Sequence, residues 1–176
     1  MPASASKGMI SNEEFRRAMS HFASGVTVIT TRDAAGAPHG ITVSAFCSLS
    51  VEPPLVLACI NKMTGSHYAF IERRKFVVHI LGEHQRHISE QFAEPLLDKF
   101  AGMPLQETES GLPVITGALV TLECSLVQNY DGGDHSILVA EVKSSTVNDA
   151  KPLIYFRGDY RLIDLGDRRA LPLPPR

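Results

Sequence analysis

A pair of long strands joined by a tight turn constrains this chain more than any other feature. Residues 118–130 and 135–148 are rich in β-branched and other apolar residues, a composition that favours extended structure. Between them lies Asp131-Gly132-Gly133-Asp134, and central glycines in so short a connection are typical of a β-hairpin. A hairpin needs further strands to cover its apolar face, so this one predicts a mainly β protein.

Shorter segments supply the remaining elements. We predict strands over 26–31, 39–45, 55–60, 76–81 and 160–163, separated mostly by short turns. A helix with an apolar face is predicted from the capping box of Ser11 and Glu14 to a stop at Gly25, and further helices over 65–73 and within 83–101. About seven strands without regular strand–helix alternation favour an antiparallel β-barrel with peripheral α-helices.

Length, charge and cysteine content exclude several classes. The 176 residues predict one domain over 11–165, between a flexible N-terminal arm at 1–10 and a Pro-rich tail at 166–176. A balance of 17 basic and 19 acidic residues lacks the basic excess of a nucleic-acid binder. No apolar run reaches the length of a membrane span. Three distant cysteines without a C-x-x-C motif indicate reduced thiols and a cytoplasmic protein.

Signatures of nucleophilic and metal chemistry are weak or absent. The sequence contains no dinucleotide-binding, P-loop, hydrolase or zincin motif. His79, His84 and His87 could bind a metal, but no carboxylate or thiolate has matching spacing, and a solvated helix face is the favoured interpretation. Cys47 and Cys59 have no neighbouring histidine in sequence, which favours buried structural thiols over nucleophiles.

Two hydroxyl-rich segments are better candidates for a binding site. Residues 42–50 carry hydroxyls from a strand end into an extended loop. Residues 61–66 combine one amine, two hydroxyls and a glycine. Such a loop can hold a phosphate without a P-loop, because donors and charge are both present. A polar, half-exposed strand surface is the alternative interpretation of these hydroxyls.

Two further segments carry polar groups beside turns. His135 begins a strand after the hairpin turn, where it could donate to a ligand or remain a solvated turn residue. Residues 155–160 bring Arg157 together with aromatic side chains, among them Tyr160. An aromatic pair at the edge of the core is an equally good interpretation of that segment.

In their order along the chain, these segments resemble the short-chain flavin reductase family, which includes the reductase components of two-component flavin monooxygenases. Each matching piece is short, but the ordered set is specific and extends over about residues 12–163. The pieces lie within 15–30, 40–55, 61–66, 76–81, 91–93, 99–100, 133–135 and 152–158. The resemblance implies an FMN-binding split barrel and a homodimer, with sites near the subunit interface and no role for nucleic acid or membrane.

The resemblance also implies roles for particular residues. The segment from Thr42 to Ser48 would line the isoalloxazine ring and ribityl chain, and the 61–66 loop would hold the flavin phosphate. Three residues fall where the family contacts the nicotinamide nucleotide or the outer flavin face: His135, Arg157 and Tyr160. The implied flavin-binding set is Thr42, Val43, Ser44, Ala45, Ser48, Cys59, Asn61, Lys62, Thr64, Ser66 and Phe100.

The activity implied by the resemblance is hydride transfer from C4 of NADH or NADPH to N5 of FMN or FAD, which supplies reduced flavin to a partner monooxygenase. The cofactors perform the difficult step and the protein positions them, so no catalytic side chain and no metal are expected. Two alternatives stay open. One is a flavin-binding electron-transfer module or oxidase without NAD(P)H turnover, and the other is a non-enzymatic dimer that binds another small ligand.

Overall fold

A computed structural model describes residues 10–95 and 98–164. Apart from Ile10, the predicted arm and the predicted Pro-rich tail lie outside these residues. The helices are α1 (Asn12–Met19), α2 (His67–Arg73) and α3 (Arg86–Ala93), with a 3-10 turn at Glu83–Gln85. The strands are β1 (Ser24–Gly25), β2 (Thr27–Arg32), β3 (Pro38–Val43), β4 (Phe46–Ser50), β5 (Leu55–Asn61), β6 (Lys75–Ile80), β7 (Leu105–Glu107), β8 (Pro113–Ile115), β9 (Val120–Gly132), β10 (His135–Val147), β11 (Ile154–Phe156) and β12 (Asp159–Arg161).

The main sheet has seven antiparallel strands in the order β3-β2-β6-β9-β10-β5-β4. Its two edge strands, β3 and β4, are consecutive in the chain and only Ser44 and Ala45 separate them. In a flat sheet, six strand spacings would hold the edges roughly 29 Å apart. The connection from Val43 to Phe46 spans at most about 11 Å. The sheet must therefore curl until its edges meet, which makes the predicted antiparallel split barrel with peripheral helices.

The core has two layers, one on each side of the barrel wall. The inner cluster contains Ile29 and Val43, and the outer cluster contains Val28 and Phe92 and lies under α3. Adjacent residues of β2 thus enter opposite layers, because successive side chains of a strand point to opposite faces. This two-sided burial explains the continuous apolar run that identifies β2 in the sequence.

His79 is a structural residue in the outer layer. Its Nδ1 donates to the Val28 carbonyl at 3.1 Å, and its Nε2 accepts from the Ile115 amide at 3.0 Å. Burial lowers the pKa of His79 to about 4, because the charged ring would lose its hydration. Both ring nitrogens are occupied by backbone groups, so His79 cannot join His84 and His87 at a metal. The described ranges contain no group of three or more His, Cys, Asp or Glu side chains arranged for a metal ion.

Several element boundaries differ from the predictions. The helix predicted up to Gly25 ends at Met19, and α1 buries none of its residues. The helical prediction over 83–101 is too long, because α3 stops at Ala93 and the next residue is extended before Pro95. The expected extended loop after Ala45 is strand β4, and the small β7–β8 sheet has no counterpart among the predictions. Within the described segments, no helix is long and apolar enough to cross a bilayer.

Candidate functional site

The corner between β3 and β4 contains the first hydroxyl-rich segment. Val43 is buried in the inner core, and its carbonyl accepts from Thr27 Oγ1 at 2.6 Å. Ala45 follows the turn and accepts the Cys59 amide at 2.9 Å, which fastens the corner to β5. Ser44, Ala45 and Ser48 are exposed, and Ser48 pairs across the sheet with a β5 residue. The corner is therefore a fixed backbone edge that presents hydroxyls to solvent.

The 61–66 loop joins β5 to α2 and is shaped by its own polar groups. Asn61 Oδ1 accepts the Met63 amide at 2.8 Å, and Thr64 Oγ1 donates to the Asn61 carbonyl at 2.9 Å. Ser66 lies before the first residue of α2 without capping it, and its hydroxyl reaches the Gly40 carbonyl at 3.4 Å. The loop thus lies against the middle of β3, close to the corner that follows β3.

Lys62 connects this loop to the β9–β10 turn. Its ammonium donates to Asp131 Oδ1 at 2.5 Å and to the Gly133 carbonyl at 2.6 Å. The hydrogen bond from Lys62 holds the pKa of the Asp131 carboxyl below its usual range. His135 pairs directly with Asn61 across β10 and β5, and its Nδ1 lies 2.7 Å from Asp134. The predicted phosphate loop and one predicted nicotinamide residue are therefore neighbours.

A cavity of about 710 Å³ adjoins the loop on the side away from the corner. Lys99 lies in its wall, half-buried, and donates to the Phe92 carbonyl at 2.8 Å. Burial lowers the pKa of Lys99, because the cation is partly removed from water. The cavity is formed by residues from β3, the 63–66 loop and the segment after α3: Ala37, Pro38, His39, Gly40, Ile41, Met63, Thr64, Gly65, Ser66, Ala93, Glu94, Pro95, Asp98, Lys99 and Phe100.

Two aromatic rings form the base of this cavity. Phe100 is buried and meets Phe92 edge-to-face, with ring centroids 4.9 Å apart. Gly40 lies directly above this pair, and a Cβ at Gly40 would come within 2.3 Å of Phe92 Cε1. Only glycine fits at this point without displacing the ring. Phe100 thus contributes an apolar surface beside the 61–66 loop.

Tyr160 and Arg157 lie at a different part of the surface from His135. The Tyr160 hydroxyl donates to Ser89 Oγ at 2.8 Å, and the Ser89 carbonyl accepts from Thr42 Oγ1 at 2.7 Å. Tyr160 thereby reaches the β3–β4 corner through α3. Arg157 occupies the β11–β12 turn with a φ of 53°, and its guanidinium donates to His21 Nε2 at 2.8 Å. Within one chain, the three predicted nicotinamide residues do not contact one another.

Cys59 lies between the two hydroxyl-rich segments. It is half-buried in β5, opposite Ile137 of β10. Burial raises the pKa of its thiol, and the nearby Cys47 raises it further. A thiol in this environment stays protonated and is a poor nucleophile, so Cys59 can contribute a contact surface rather than covalent chemistry.

The structure adds residues that the sequence patterns did not single out. Ser89 bridges Thr42 and Tyr160, and Lys99 supplies a cation to the cavity. Gln91 donates to the carbonyls of Lys99 and Ala101 and so braces the segment that carries Phe100. Gln91 and Lys99 lie in the pieces that carry the family resemblance, which was the only sequence signal for them. Ser89 had none, because its role depends on contacts between distant segments.

The assembled site suits a long ligand that is part apolar and part anionic. The corner offers a backbone edge and hydroxyls, the loop offers Thr64 and Ser66, and the cavity continues beyond them. Hydroxyls and ammonium groups of this kind can bind phosphate. Backbone and apolar surfaces suit a flat ring system. The residues present therefore fit a flavin nucleotide.

Comparisons with known proteins agree with this geometry. A family model described as a flavin reductase-like domain matches residues 19–164. The reductase component of a 4-nitrophenol 4-monooxygenase/4-nitrocatechol 2-monooxygenase from Rhodococcus opacus is 42% identical over 147 residues, which are 84% of this chain and 78% of that protein. The reductase subunit of a flavin-dependent monooxygenase from Rhodococcus jostii is 40% identical over 169 residues, which are 95% of this chain and 85% of that protein.

A solved structure shows the same likeness in three dimensions. It is an NADH:FAD oxidoreductase from Streptomyces globisporus in complex with NAD and FAD fragments. It superposes with a TM-score of 0.84 at 32% identity, over 89% of this chain and 94% of that one.

Proposed function

This chain belongs to the flavin reductase-like family, and on that premise we propose that it takes electrons from NADH or NADPH and passes them to FMN or FAD. The activity itself is that of a flavin reductase, and reductases of this kind supply reduced flavin to a partner monooxygenase. The choice of nucleotide, the choice of flavin and the residues that bind each are the content of the proposal.

One observation carries the assignment of the site. The β3–β4 corner and the 61–66 loop are remote in sequence, yet two contacts bring them to one rim. The Cys59 amide bonds to Ala45 at 2.9 Å, and the Ser66 hydroxyl reaches the Gly40 carbonyl at 3.4 Å. A ring bound at the corner would direct its ribityl chain along β3 towards Thr64 and Ser66, where a phosphate finds hydroxyl donors.

A bound flavin supplies the hydride-accepting chemistry, with the nicotinamide nucleotide as the hydride source. The chain contributes position rather than reactive groups. The corner holds its shape through the buried Val43 and the amide of Cys59. We propose that His135, held beside Asn61, contacts the nicotinamide nucleotide, while Arg157 and Tyr160 complete the site from the other end of the corner.

A homodimer is part of the proposal. Along α1 the apolar side chains of Phe15 and Met19 are 55% and 52% exposed, and Phe22 just beyond the helix is 73% exposed. No residue of α1 is buried, although the helix has a well-formed capping box and an apolar stripe. A second copy of the chain would cover this stripe. Sedimentation should give a dimer that Phe15→Glu weakens, whereas a monomeric parent protein would contradict the proposal.

The activity is tested by nicotinamide oxidation with added flavin. The purified protein should oxidise NADH or NADPH only when FMN or FAD is present, at a rate proportional to protein concentration. Ser66→Ala should raise the KM for FMN, while Ser145→Ala, on an exposed part of β10, serves as the matched control. Flavin binding without any nicotinamide turnover would instead support an electron-transfer module on the same fold.

A further inference from the structure

The 710 Å³ cavity extends beyond the flavin site as proposed. It touches Thr64 and Ser66 at its inner end but none of the corner residues 42–48. From there it continues to residues 37–41, along the half of β3 that leads away from the corner. Gly40 and Val43 are separated by about 10 Å of strand. A ligand whose ring lies at the corner and whose phosphate lies at Ser66 would therefore leave most of this cavity unfilled.

We propose that the cavity takes the adenylate half of FAD, which makes FAD the preferred flavin. This inference rests on the proposed function, because it uses the position of the flavin ring and phosphate assigned above. The chemistry to be recognised beyond the first phosphate is a second phosphate, a ribose and an adenine ring. The cavity offers a group for each end of that moiety.

Lys99 is the cation that suits the second phosphate. Its ammonium uses one bond to the Phe92 carbonyl at 2.8 Å, and an ammonium has three donors. Lys62 is not in the wall of the cavity and is engaged by Asp131. Burial lowers the pKa of Lys99, so an anion beside it would compensate a charge that the protein compensates only with a neutral carbonyl.

The other charged groups of the wall leave this role to Lys99. Asp98 and Glu94 are exposed to water, and Asp98 Oδ1 is occupied by the Phe100 amide at 2.9 Å. His39 is engaged by Asp33 at 3.1 Å. Screening by water weakens exposed carboxylates more than the half-buried ammonium, so the field inside the cavity favours an anion next to Lys99.

The outer end of the cavity suits an adenine ring. The ring of His39 and the side chains of Pro38 and Met63 line this end, and Met63 is 90% exposed. His39 itself packs edge-on against Tyr68, with ring centroids 5.3 Å apart. A purine placed here would cover apolar and aromatic surface that the chain leaves open to solvent.

The test compares the affinities of FAD, FMN and riboflavin by calorimetry. The parent protein should bind FAD more tightly than FMN. Lys99→Met should raise the Kd for FAD at least about tenfold and that for FMN less than about threefold. Lys99→Arg should restore FAD binding, because it keeps the charge. Ala93→Phe, which fills the cavity from an exposed position at the end of α3, should weaken FAD and spare FMN. Lys151→Met is the matched control.

Other outcomes would overturn the inference. Equal losses of FMN and FAD on Lys99→Met would assign Lys99 to the flavin's own phosphate. Unchanged affinities in both Lys99→Met and Ala93→Phe would place the adenylate elsewhere. A raised KM for NADH, measured with FMN as acceptor and accompanied by an unchanged Kd for FAD, would show that the cavity holds the adenylate of the nicotinamide nucleotide. A parent protein that binds none of the three flavins would overturn the proposed function itself.

Discussion

Acidification should destabilise this protein through His79, which holds the β7–β8 sheet to the barrel. The ring is neutral in the folded state, with a pKa of about 4, whereas the ordinary value in an unfolded chain is 6.5. A base whose folded pKa is lowered contributes its full stability above pH 6.5 and loses it as the pH falls towards 4. At about 1.4 kcal/mol per pKa unit, the whole difference is roughly 3 kcal/mol. Between pH 7.5 and pH 5 the expected loss is about 2 kcal/mol.

Urea unfolding at these two pH values measures the effect in the parent protein and in two variants. His79→Gln keeps a polar group that can accept the Ile115 amide, but it does not titrate. His79→Leu leaves the Ile115 amide and the Val28 carbonyl without their partner, at about 1–3 kcal/mol for each group. Both variants should lose about 2 kcal/mol less than the parent on acidification. Identical pH responses in the parent and His79→Gln would refute this reasoning.

Three further substitutions test the site. Lys62→Ala should weaken FMN about tenfold and riboflavin less than about threefold, since only FMN carries a phosphate; equal losses would place Lys62 away from the phosphate, and Lys151→Ala is the control. His135→Ala should raise the KM for NADH severalfold and leave the Kd for FMN unchanged, and an unaltered KM would remove it from the nucleotide site. Gly40→Ala should lower stability by about 1–3 kcal/mol in thermal unfolding, because its Cβ overlaps the Phe92 ring; a melting temperature equal to the parent's would contradict that overlap.

The barrel was predictable because its strands carry local signals. The 131–134 turn predicted the longest pair, and β5 pairs with β10 over residues 55–61 as a continuous apolar run suggests. Strand β4 was missed, because Phe46 and Leu49 alternate with polar residues that also suit a loop. The end of α3 depends on the residue before Pro95, and the helical spacing of later apolar residues obscured it.

The candidate site was only partly predictable, for a physical reason. The hydroxyls of the corner and the loop are visible as composition, and the resemblance connected them to a flavin. Their closeness depends on the curl of the sheet and on single contacts such as the one between Ser66 and Gly40. The roles of Ser89 and Lys99 likewise arise from pairings between distant segments, which no local pattern records.

The central claim is that the rim formed by the corner and the 61–66 loop positions a flavin to receive hydride from a nicotinamide nucleotide. Its most direct test is an anaerobic titration of the protein and oxidised flavin with NADH, and in parallel with NADPH, followed by visible absorbance. We expect the absorbance of the oxidised flavin to disappear in proportion to the nucleotide added, and much faster than without protein. Flavin that stays oxidised beside folded protein, with either nucleotide in excess, would contradict the claim.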